Sequence, residues 1–256
     1  MTSTQRHLLI LGGTGEAAAL AAALAGRFRV TTSLAGRTGQ PALPPGEIRI
    51  GGFGGAEGLA EWLRENAADL VVDATHPFAE AISAHAAEAC AALNLPRLRL
   101  QRPAWRRDPR DRWIEVEDVA GAAHALTLLG GRSFLTVGVQ ELAAFAGLTD
   151  VWLLIRLITP PKTVLDLGPH ELIYGRGPFS LAEERLLLQR HRIGSLVTKA
   201  SGGAATEAKI LAAREADLPV VMIRRPLPPA GPVVENVEAA IEWVMSEIGV
   251  ERRPPP

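Results

Sequence analysis

Residues 8–19 read LLILGGTGEAAA, a continuous apolar run that passes through glycines into an alanine-rich segment. A short apolar run that ends in glycine predicts a strand buried on both faces, and the segment from about Glu16 to Ala25 predicts the helix after it. Between them, Gly13, Gly15 and Ala18 have the G-x-G-x-x-G/A spacing that lets the backbone approach a pyrophosphate at a helix N-terminus. A glycine-rich turn alone is a weak signal, so an ordinary tight turn is the alternative.

The alternation of strand and helix continues along the chain. Residues 28–34, 48–50, 70–74 and 98–100 are predicted strands, and residues 56–67 and 77–93 are predicted helices, the second opened by Pro77. Further strands are predicted at 113–116, 133–137, 151–157, 172–174, 195–198 and 220–223, and helices at 118–129, 140–146, 181–191, 204–216 and 237–248. Such βαβ alternation predicts an α/β fold with parallel sheets flanked by helices.

A segment at residues 101–112 interrupts this rhythm with five arginines, two prolines and a tryptophan. The interruption predicts a boundary between two domains. We therefore expect an N-terminal dinucleotide-binding domain over residues 1–102 and a C-terminal substrate-binding domain over residues 103–256.

The bulk composition excludes several classes of protein. The chain has 256 residues, of which 47% are hydrophobic, and a formal net charge of −1, so it is neither mainly disordered nor a general binder of nucleic acid. One cysteine excludes a disulfide framework, and six scattered histidines predict no metal site. Because no apolar stretch approaches membrane-spanning length, we expect a cytoplasmic protein without membrane contact. We also expect a monomer or weak homo-oligomer.

The basic residues are strongly skewed towards arginine. Of 27 basic residues only Lys162, Lys199 and Lys209 are lysines, which leaves 24 arginines. Codon usage in a GC-rich genome is one explanation, and the alternative is a ligand rich in carboxylates or phosphates, which arginine binds in bidentate fashion.

The end of the second predicted strand indicates which dinucleotide would bind. An NAD site usually has an acidic residue here that accepts the ribose 2′-hydroxyl. This chain has Ser33 and Arg37 and no carboxylate before Glu47. A hydroxyl and an arginine suit a 2′-phosphate and predict NADPH, although Arg37 could also be a solvated loop charge.

Two further loops follow predicted strands of the first half. Gly51 to Gly55 surround Phe53, and this loop could admit a flat ligand beside Gly52 and Phe53, or simply be a flexible connection. The next strand ends in the sequence DATHPFA at residues 73–79. Asp73 and His76 could act there as acid, base or orienting groups, and the alternative for Thr75, His76 and Pro77 is the ordinary start of a helix.

The second half has a similar loop in residues 198–203, TKASGG. Lys199, with Ser201, Gly202 and Gly203, predicts an anion site where a strand meets a helix. Lys209, by contrast, is expected on a solvated helix face. Two more loops at predicted strand ends offer arginines, namely Tyr174 to Phe179 with Arg176, and the segment with Arg225.

These motifs together resemble the precorrin-6A reductase family of cobalamin biosynthesis. The resemblance spans almost the whole chain in order, and residues 73–79 are its most specific part. The other matching segments are residues 12–16, 51–54, 102–105, 136–138, 198–199, 201–203 and 225–226. One departure is Ala200, where the family usually has an acidic residue, so the role of that carboxylate does not transfer to this chain.

The resemblance implies two Rossmann-like domains with the active-site cleft between them, and the NADPH-dependent reduction of the C18–C19 double bond of precorrin-6A to give precorrin-6B. We expect the cofactor at Gly12, Gly13, Thr14, Gly15, Glu16, Ser33, Arg37, Gly52, Phe53, Thr75, His76 and Pro77, of which Ser33 and Arg37 come from the strand end and not from the matching segments. We expect the substrate, whose ring carries carboxylates, at Thr136, Tyr174, Arg176, Ser201, Gly202, Gly203 and Arg225, of which Tyr174 and Arg176 also lie outside the matching segments. Lys199 and His76 are the candidate catalytic residues.

Other functions stay open on sequence alone. A short-chain carbonyl reductase should carry a Tyr-x-x-x-Lys pair, but the single tyrosine, Tyr174, is followed four residues later by Pro178. A cobalt-precorrin-6A reductase and a non-catalytic module that binds NADPH or a tetrapyrrole are the remaining alternatives.

Overall fold

The computed structural model describes residues 5–36 and 43–249, and the chain divides into two compact units. Among the described residues, the first unit contains 5–36, 43–102 and 226–249, and the second contains 103–225. Each unit contains one six-stranded sheet, and all of the pairs between the named strands are parallel. The predicted α/β class, with two parallel sheets flanked by helices, is confirmed.

The elements follow the predicted alternation. Residues 7–100 form β1 (His7–Leu11), α1 (Gly15–Leu24), β2 (Arg29–Leu34), β3 (Glu47–Ile50), α2 (Ala56–Glu65), β4 (Leu70–Asp73), α3 (Glu80–Leu93) and β5 (Arg97–Leu100). Residues 112–223 form β6 (Arg112–Val116), α4 (Val119–Leu129), β7 (Gly131–Leu135), a 3₁₀ helix (Val139–Phe145), β8 (Val151–Leu157), β9 (His170–Tyr174), α5 (Leu181–Arg190), β10 (Ser195–Lys199), a 3₁₀ helix (Ala204–Thr206), α6 (Ala208–Glu215) and β11 (Pro219–Ile223). The last elements are β12 (Val233–Val234) and α7 (Val237–Gly249).

In the first unit the strand order is β12-β5-β4-β1-β2-β3, so β1 and β4 lie at the centre and are buried on both faces. Successive side chains of a strand point to opposite faces of its sheet. Leu8 packs with Leu20 of α1 and Val244 of α7, whereas Leu9 packs in the opposite layer with Leu59 of α2. Because helices cover both faces, the strand ends are left for ligands.

The second unit has the strand order β6-β11-β10-β7-β8-β9, and its core contains Phe134 of β7, Leu196 of β10 and Ile210 of α6. In each sheet the chain moves outwards from a central strand and then returns beside it, at β1 and β4 in one unit and at β7 and β10 in the other. In open α/β sheets, ligands bind at the carboxyl ends of two such strands, where the loops leave in opposite directions.

The predicted second domain, residues 103–256, differs from the structure in its last part. The break near residue 103 is observed, but residues 226–249 lie in the first unit. There β12 pairs in parallel with β5, and the Arg99 and Gln101 amides donate to the carbonyls of Pro232 and Val234 at 3.0 and 2.9 Å. Helix α7 then buries Ala240 and Val244 against the cluster that contains α1.

Several predicted boundaries also shift for local reasons. Helix α3 begins at Glu80 rather than Pro77, because Pro77 lies in a turn that the Ala79 amide closes by donating to the His76 carbonyl at 2.8 Å. Residues 139–145 form a 3₁₀ helix, and the predicted helix at 204–216 is divided into a 3₁₀ turn and α6. None of the described helices is long and apolar enough to span a membrane.

Candidate functional site

The glycine turn after β1 closes against β2 and leaves space in front of it. The Gly12 amide donates to the Ser33 carbonyl at 2.9 Å, and a Cβ at Gly12 would lie 2.9 Å from Thr32 Cγ2. Gly13 has a φ of +107°, which favours glycine. A Cβ at Gly13 or at Gly15 would have no neighbour within 4 Å. These two glycines therefore leave room for a ligand to approach the backbone.

Thr14 connects this turn to the helix and to the neighbouring loop. Its hydroxyl accepts from the Ala17 amide at 3.1 Å, as an N-cap does, and donates to the Ala74 carbonyl at 2.7 Å. The ten-residue α1 thus begins beside the end of β4, and its N-terminus supplies the positive end of a helix dipole. Thr14 thus holds the glycine turn and the start of α1 beside the loop after β4. This arrangement suits a pyrophosphate.

Glu16 in the first turn of α1 forms an ion pair with Arg102, with 3.2 Å between Oε2 and Nη1. Both side chains are largely buried, with 30% and 15% exposure. The Glu16 carboxylate already has a cationic partner. The cofactor contact predicted for Glu16 would therefore be made by its backbone. Arg102 follows β5 and adds a positive charge near the start of α1.

At the end of β2, Ser33 is 7% exposed and adjoins the glycine turn through its carbonyl. Arg37, its predicted companion, lies outside the described residues. Glu47 is held at the start of β3, where it accepts from Arg29 Nε at 2.9 Å and from the Thr31 hydroxyl at 2.8 Å. These hydrogen bonds lower the pKa of Glu47. These bonds thus hold the Glu47 carboxylate beside the first half of β2, away from Ser33 near the end of that strand.

The loop after β3 is built around Phe53. Arg49 donates to the carbonyls of Gly51 and Gly52 at 2.6 and 2.8 Å, and its guanidinium carbon lies 3.7 Å from the centre of the Phe53 ring. The Trp62 ring meets Phe53 edge-on, with 5.7 Å between centroids. Burial lowers the pKa of Arg49. The predicted ligand contact of Phe53 thus competes with a packing role, and sequence reasoning missed Arg49.

Asp73 at the end of β4 belongs to a buried network. Its Oδ1 lies 2.6 Å from Arg99 Nη1 and accepts from the Thr75 hydroxyl at 2.7 Å. The same Arg99 nitrogen donates to the Thr75 and Ser83 hydroxyls at 2.9 and 3.0 Å. Asp73 is fully buried and Arg99 is 2% exposed. Of the interpretations from sequence, only an orienting role suits a carboxylate so enclosed.

The network of Asp73, Thr75 and Arg99 also contacts His76. Thr75 is buried, and half-buried His76 accepts at Nδ1 from the Phe78 amide at 3.3 Å. Its carbonyl is 3.4 Å from Arg99 Nη2. Through Ala74 and Thr14 the segment adjoins the glycine turn. The structure therefore brings together the predicted cofactor residues at positions 12–16, 33 and 75–77, and the Gly52–Phe53 loop lies along the same edge of the sheet, beyond β2.

In the second unit, Lys199 at the end of β10 forms a short ion pair with Glu141 in the 3₁₀ helix after β7. The two side chains are 17% and 25% exposed. The other Glu141 oxygen, Oε2, accepts from the Gly138 amide at 2.8 Å. Sequence reasoning missed Glu141, and the Gly-x-x-Glu spacing of a helix start was the available signal. Thr136 lies on the same loop, and its hydroxyl donates to the Val197 carbonyl at 3.1 Å.

The turn after β10 is braced by Arg225. Its Nε and Nη2 each donate at 3.0 Å, to the carbonyls of Ala200 and Ser201 respectively. Gly202 has a φ of +65°, and a Cβ there would lie 2.0 Å from the Pro103 carbonyl oxygen. Ser201, Gly202 and Gly203 thus form a tightly built turn. Arg225 is therefore a weaker candidate for the predicted substrate contact, because two of its donors are used within the fold.

The loop after β9 presents the other predicted substrate residues. Tyr174 is 51% exposed, and Arg176 is exposed with no ion pair among the residues described. Beneath them Phe179 packs closely enough that a Cβ at Gly175 would lie 3.0 Å from its Cζ. Arg156 lies 4.0 Å from the Phe179 ring centre and makes a two-pronged pair with buried Glu184 at 2.7 and 2.8 Å.

The sequence predicted Lys209 on a solvated helix face, and this prediction is wrong. Lys209 is 8% exposed, and its Nζ lies 5.5 Å from the centre of the Trp105 ring. A cavity of about 490 Å³ adjoins Trp105 and is lined in part by exposed Arg106 and Arg107. Within the described ranges, no cluster of three His, Cys, Asp or Glu side chains is placed to hold a metal ion.

Comparisons with known proteins show which family the chain is similar to. The family model described as Precorrin-6x reductase CbiJ/CobK matches residues 7–245. A relative from Rhodococcus erythropolis named precorrin-6A reductase is 52% identical over 242 residues, 93% of this chain and 97% of the relative. A relative from Salmonella typhimurium named cobalt-precorrin-6A reductase is 30% identical over 232 residues, 86% of this chain and 88% of the relative.

A solved structure named CobK precorrin-6A reductase matches with a TM-score of 0.89 and 40% identity, and the match covers 94% of this chain and 97% of that one. These matches confirm the resemblance found in the sequence: the chain belongs to the precorrin-6x reductase family.

Proposed function

We propose that this chain catalyses the NADPH-dependent reduction of the C18–C19 double bond of precorrin-6A, which yields precorrin-6B. As a family member it is a reductase that acts on a CH–CH bond, and that class suggests a nicotinamide cofactor. The observation that carries the proposal is the glycine turn, where two glycines leave free space at the N-terminus of α1. A dinucleotide pyrophosphate is the ligand that such a turn suits.

The preference for NADPH rests on the end of β2. No carboxylate precedes Glu47 there, and Glu47 is engaged by Arg29 and Thr31. An acceptor for the ribose 2′-hydroxyl of NAD is thus missing from this stretch of sequence. Ser33 and Arg37 would instead contact the 2′-phosphate, with Arg37 as the bidentate donor.

The bound cofactor supplies the hydride, so the protein must orient the reactants and provide a proton. Hydride would be added at C19 and the proton at C18. His76, held by the Asp73–Arg99 network, would lie beside the nicotinamide with Thr75 and Pro77. Lys199 would supply the proton or activate the ring electrostatically. Arg176 and the turn of Ser201, Gly202 and Gly203, together with Thr136 and Tyr174, would contact the substrate carboxylates.

The metal-free macrocycle is the proposed substrate rather than its cobalt complex. The relative named precorrin-6A reductase is 52% identical, whereas the relative named cobalt-precorrin-6A reductase is 30% identical. We further propose that the enzyme works in the cytoplasm as a monomer or weak homo-oligomer, without nucleic acid or membrane partners.

The test follows nicotinamide absorbance when the purified chain is mixed with NADPH or NADH and with metal-free or cobalt-bound precorrin-6A. Rapid oxidation of NADPH with the metal-free macrocycle is expected. Faster turnover of the cobalt complex would identify that complex as the substrate. Binding of NADPH without oxidation would indicate a non-catalytic module. Lys199→Ala and His76→Ala test the two catalytic candidates, since full turnover with unchanged KM would remove either from the mechanism.

A further inference from the structure

The ion pair between Lys199 and Glu141 joins two loops that follow the two central strands of the second unit. Lys199 is the last residue of β10, and Glu141 lies in the 3₁₀ helix just after β7. The two residues are 58 positions apart in sequence. A carboxylate from the neighbouring loop therefore contacts the ammonium of Lys199.

Glu141 is held in place by hydrogen bonds that do not involve the lysine. Its Oε2 accepts from the Gly138 amide at 2.8 Å, and the Gly138 carbonyl accepts from the Glu141 amide at 3.0 Å. The neighbouring side chains Leu142 and Phe145 are buried, which anchors the 3₁₀ helix in the core. One carboxylate oxygen is thus used to hold the loop, and the other, Oε1, is directed at the lysine.

The long lysine side chain has many rotamers, and holding its ammonium in one place costs conformational entropy. A carboxylate anchored in this way restricts where that charge lies before a ligand arrives. We infer that Glu141 is a positioning residue that fixes the ammonium of Lys199 for the reduction. This inference rests on the proposed function, in which Lys199 acts on the substrate.

The decisive variant is Glu141→Gln, because the glutamine side-chain oxygen can still accept from the Gly138 amide while the negative charge beside Lys199 is lost. We expect kcat to fall by roughly 10- to 100-fold, the range that misplacement of a reacting group produces. KM for NADPH should stay unchanged, and the melting temperature should fall less than it does for Glu184→Gln, because Glu141 is 25% exposed whereas Glu184 is 3% exposed. Glu141→Asp should recover part of kcat, because the charge returns one methylene short.

A matched control makes the same chemical change in a surface pair of the same unit. Glu215 pairs with Arg185 on the surface, and both side chains are more than 40% exposed. Glu215→Gln should leave kcat and both KM values as in the unmodified chain. Parallel losses in the two variants would assign the effect to general charge removal and overturn the inference.

A second readout does not depend on turnover. The chain contains three lysines, so protein labelled with ¹³C-lysine should give three resolvable Cε signals. Lys199→Arg identifies the signal of Lys199. Glu141→Gln should move this signal and leave those of Lys162 and Lys209 in place.

An active unmodified chain beside an equally active Glu141→Gln variant overturns the inference alone. A variant that loses kcat, cofactor affinity and melting temperature together would reveal a merely structural role and overturn it as well. If the unmodified chain does not turn over precorrin-6A with NADPH, the proposed function fails and the inference falls with it.

Discussion

Replacing Asp73 by asparagine removes one charge from the buried network at the end of β4 and changes little in size. Asp73 is fully buried, and its partner Arg99 is 2% exposed. Asparagine can still accept from the Thr75 hydroxyl. Arg99 would keep its bonds to Thr75 and Ser83 but would have no negative charge within the network to balance it.

The burial of both side chains determines how much stability the substitution should cost. Breaking a buried ion pair by removing one partner costs about 3–5 kcal/mol, because the remaining charge is left uncompensated. Since about 1.4 kcal/mol corresponds to a tenfold change in an equilibrium constant, the unfolding constant should rise by more than roughly 100-fold. Pairs exposed to solvent contribute only about 0–1 kcal/mol. Glu47→Gln, which breaks an exposed pair with Arg29 in the same unit, is therefore the matched control.

Urea denaturation followed by circular dichroism measures both variants. We expect a clear drop in the midpoint for Asp73→Asn and a small one for Glu47→Gln. Replacing Asp73 and Arg99 together by apolar residues should cost less than Asp73→Asn alone, because no unpaired charge remains. An Asp73→Asn protein that is as stable as the unmodified chain but inactive would refute this reasoning and give Asp73 a direct role in the chemistry.

Three further predictions concern other parts of the chain. Arg37→Ala should raise KM for NADPH and leave KM for NADH nearly unchanged, and equal effects in steady-state kinetics would contradict a 2′-phosphate contact. Glu184→Gln should destabilise the second unit by about 3 kcal/mol, because it strands Arg156, which is 11% exposed, and an unchanged urea midpoint would contradict this. Burial raises the pKa of the Cys90 thiol to about 11, so the native protein keeps this proton to higher pH than the unfolded chain does. The free energy of unfolding should therefore fall as pH rises from about 9 to 11, a slope that Cys90→Ala should remove.

The sequence predicted the parallel sheets well because buried strands leave a local signal. The run of residues 151–157 was predicted as a strand, and β8 has the same bounds. The strand β12 was missed because it is two residues long and follows a proline-rich segment. Its pairing with β5, 134 residues earlier by the Val233–Arg99 register, is a long-range contact that no local pattern encodes. For the same reason the last helix was assigned to the wrong unit.

The candidate site shows the same division between local and distant information. The glycine turn could be predicted because its residues are adjacent and their spacing reflects one local geometry. The ion-pair partners of charged side chains could not be predicted, since Arg102 is 86 residues from Glu16 in the first unit, and Glu184 is 28 residues from Arg156 in the second. Sequence identifies which residues can carry charge, but only the fold shows which charges are already neutralised.

This distinction changes how the abundant arginines are interpreted. An arginine binds a ligand carboxylate strongly only if its donors are not already used by the protein. Arg99 and Arg156 are neutralised by buried carboxylates, and Arg225 spends two donors on backbone carbonyls. Arg176 is exposed, has no ion pair in the described part of the chain, and lies on a loop that Phe179 and Arg156 hold in shape. Among the arginines predicted to bind substrate, Arg176 is therefore the stronger candidate, and Arg225 acts first on the shape of the turn beside it.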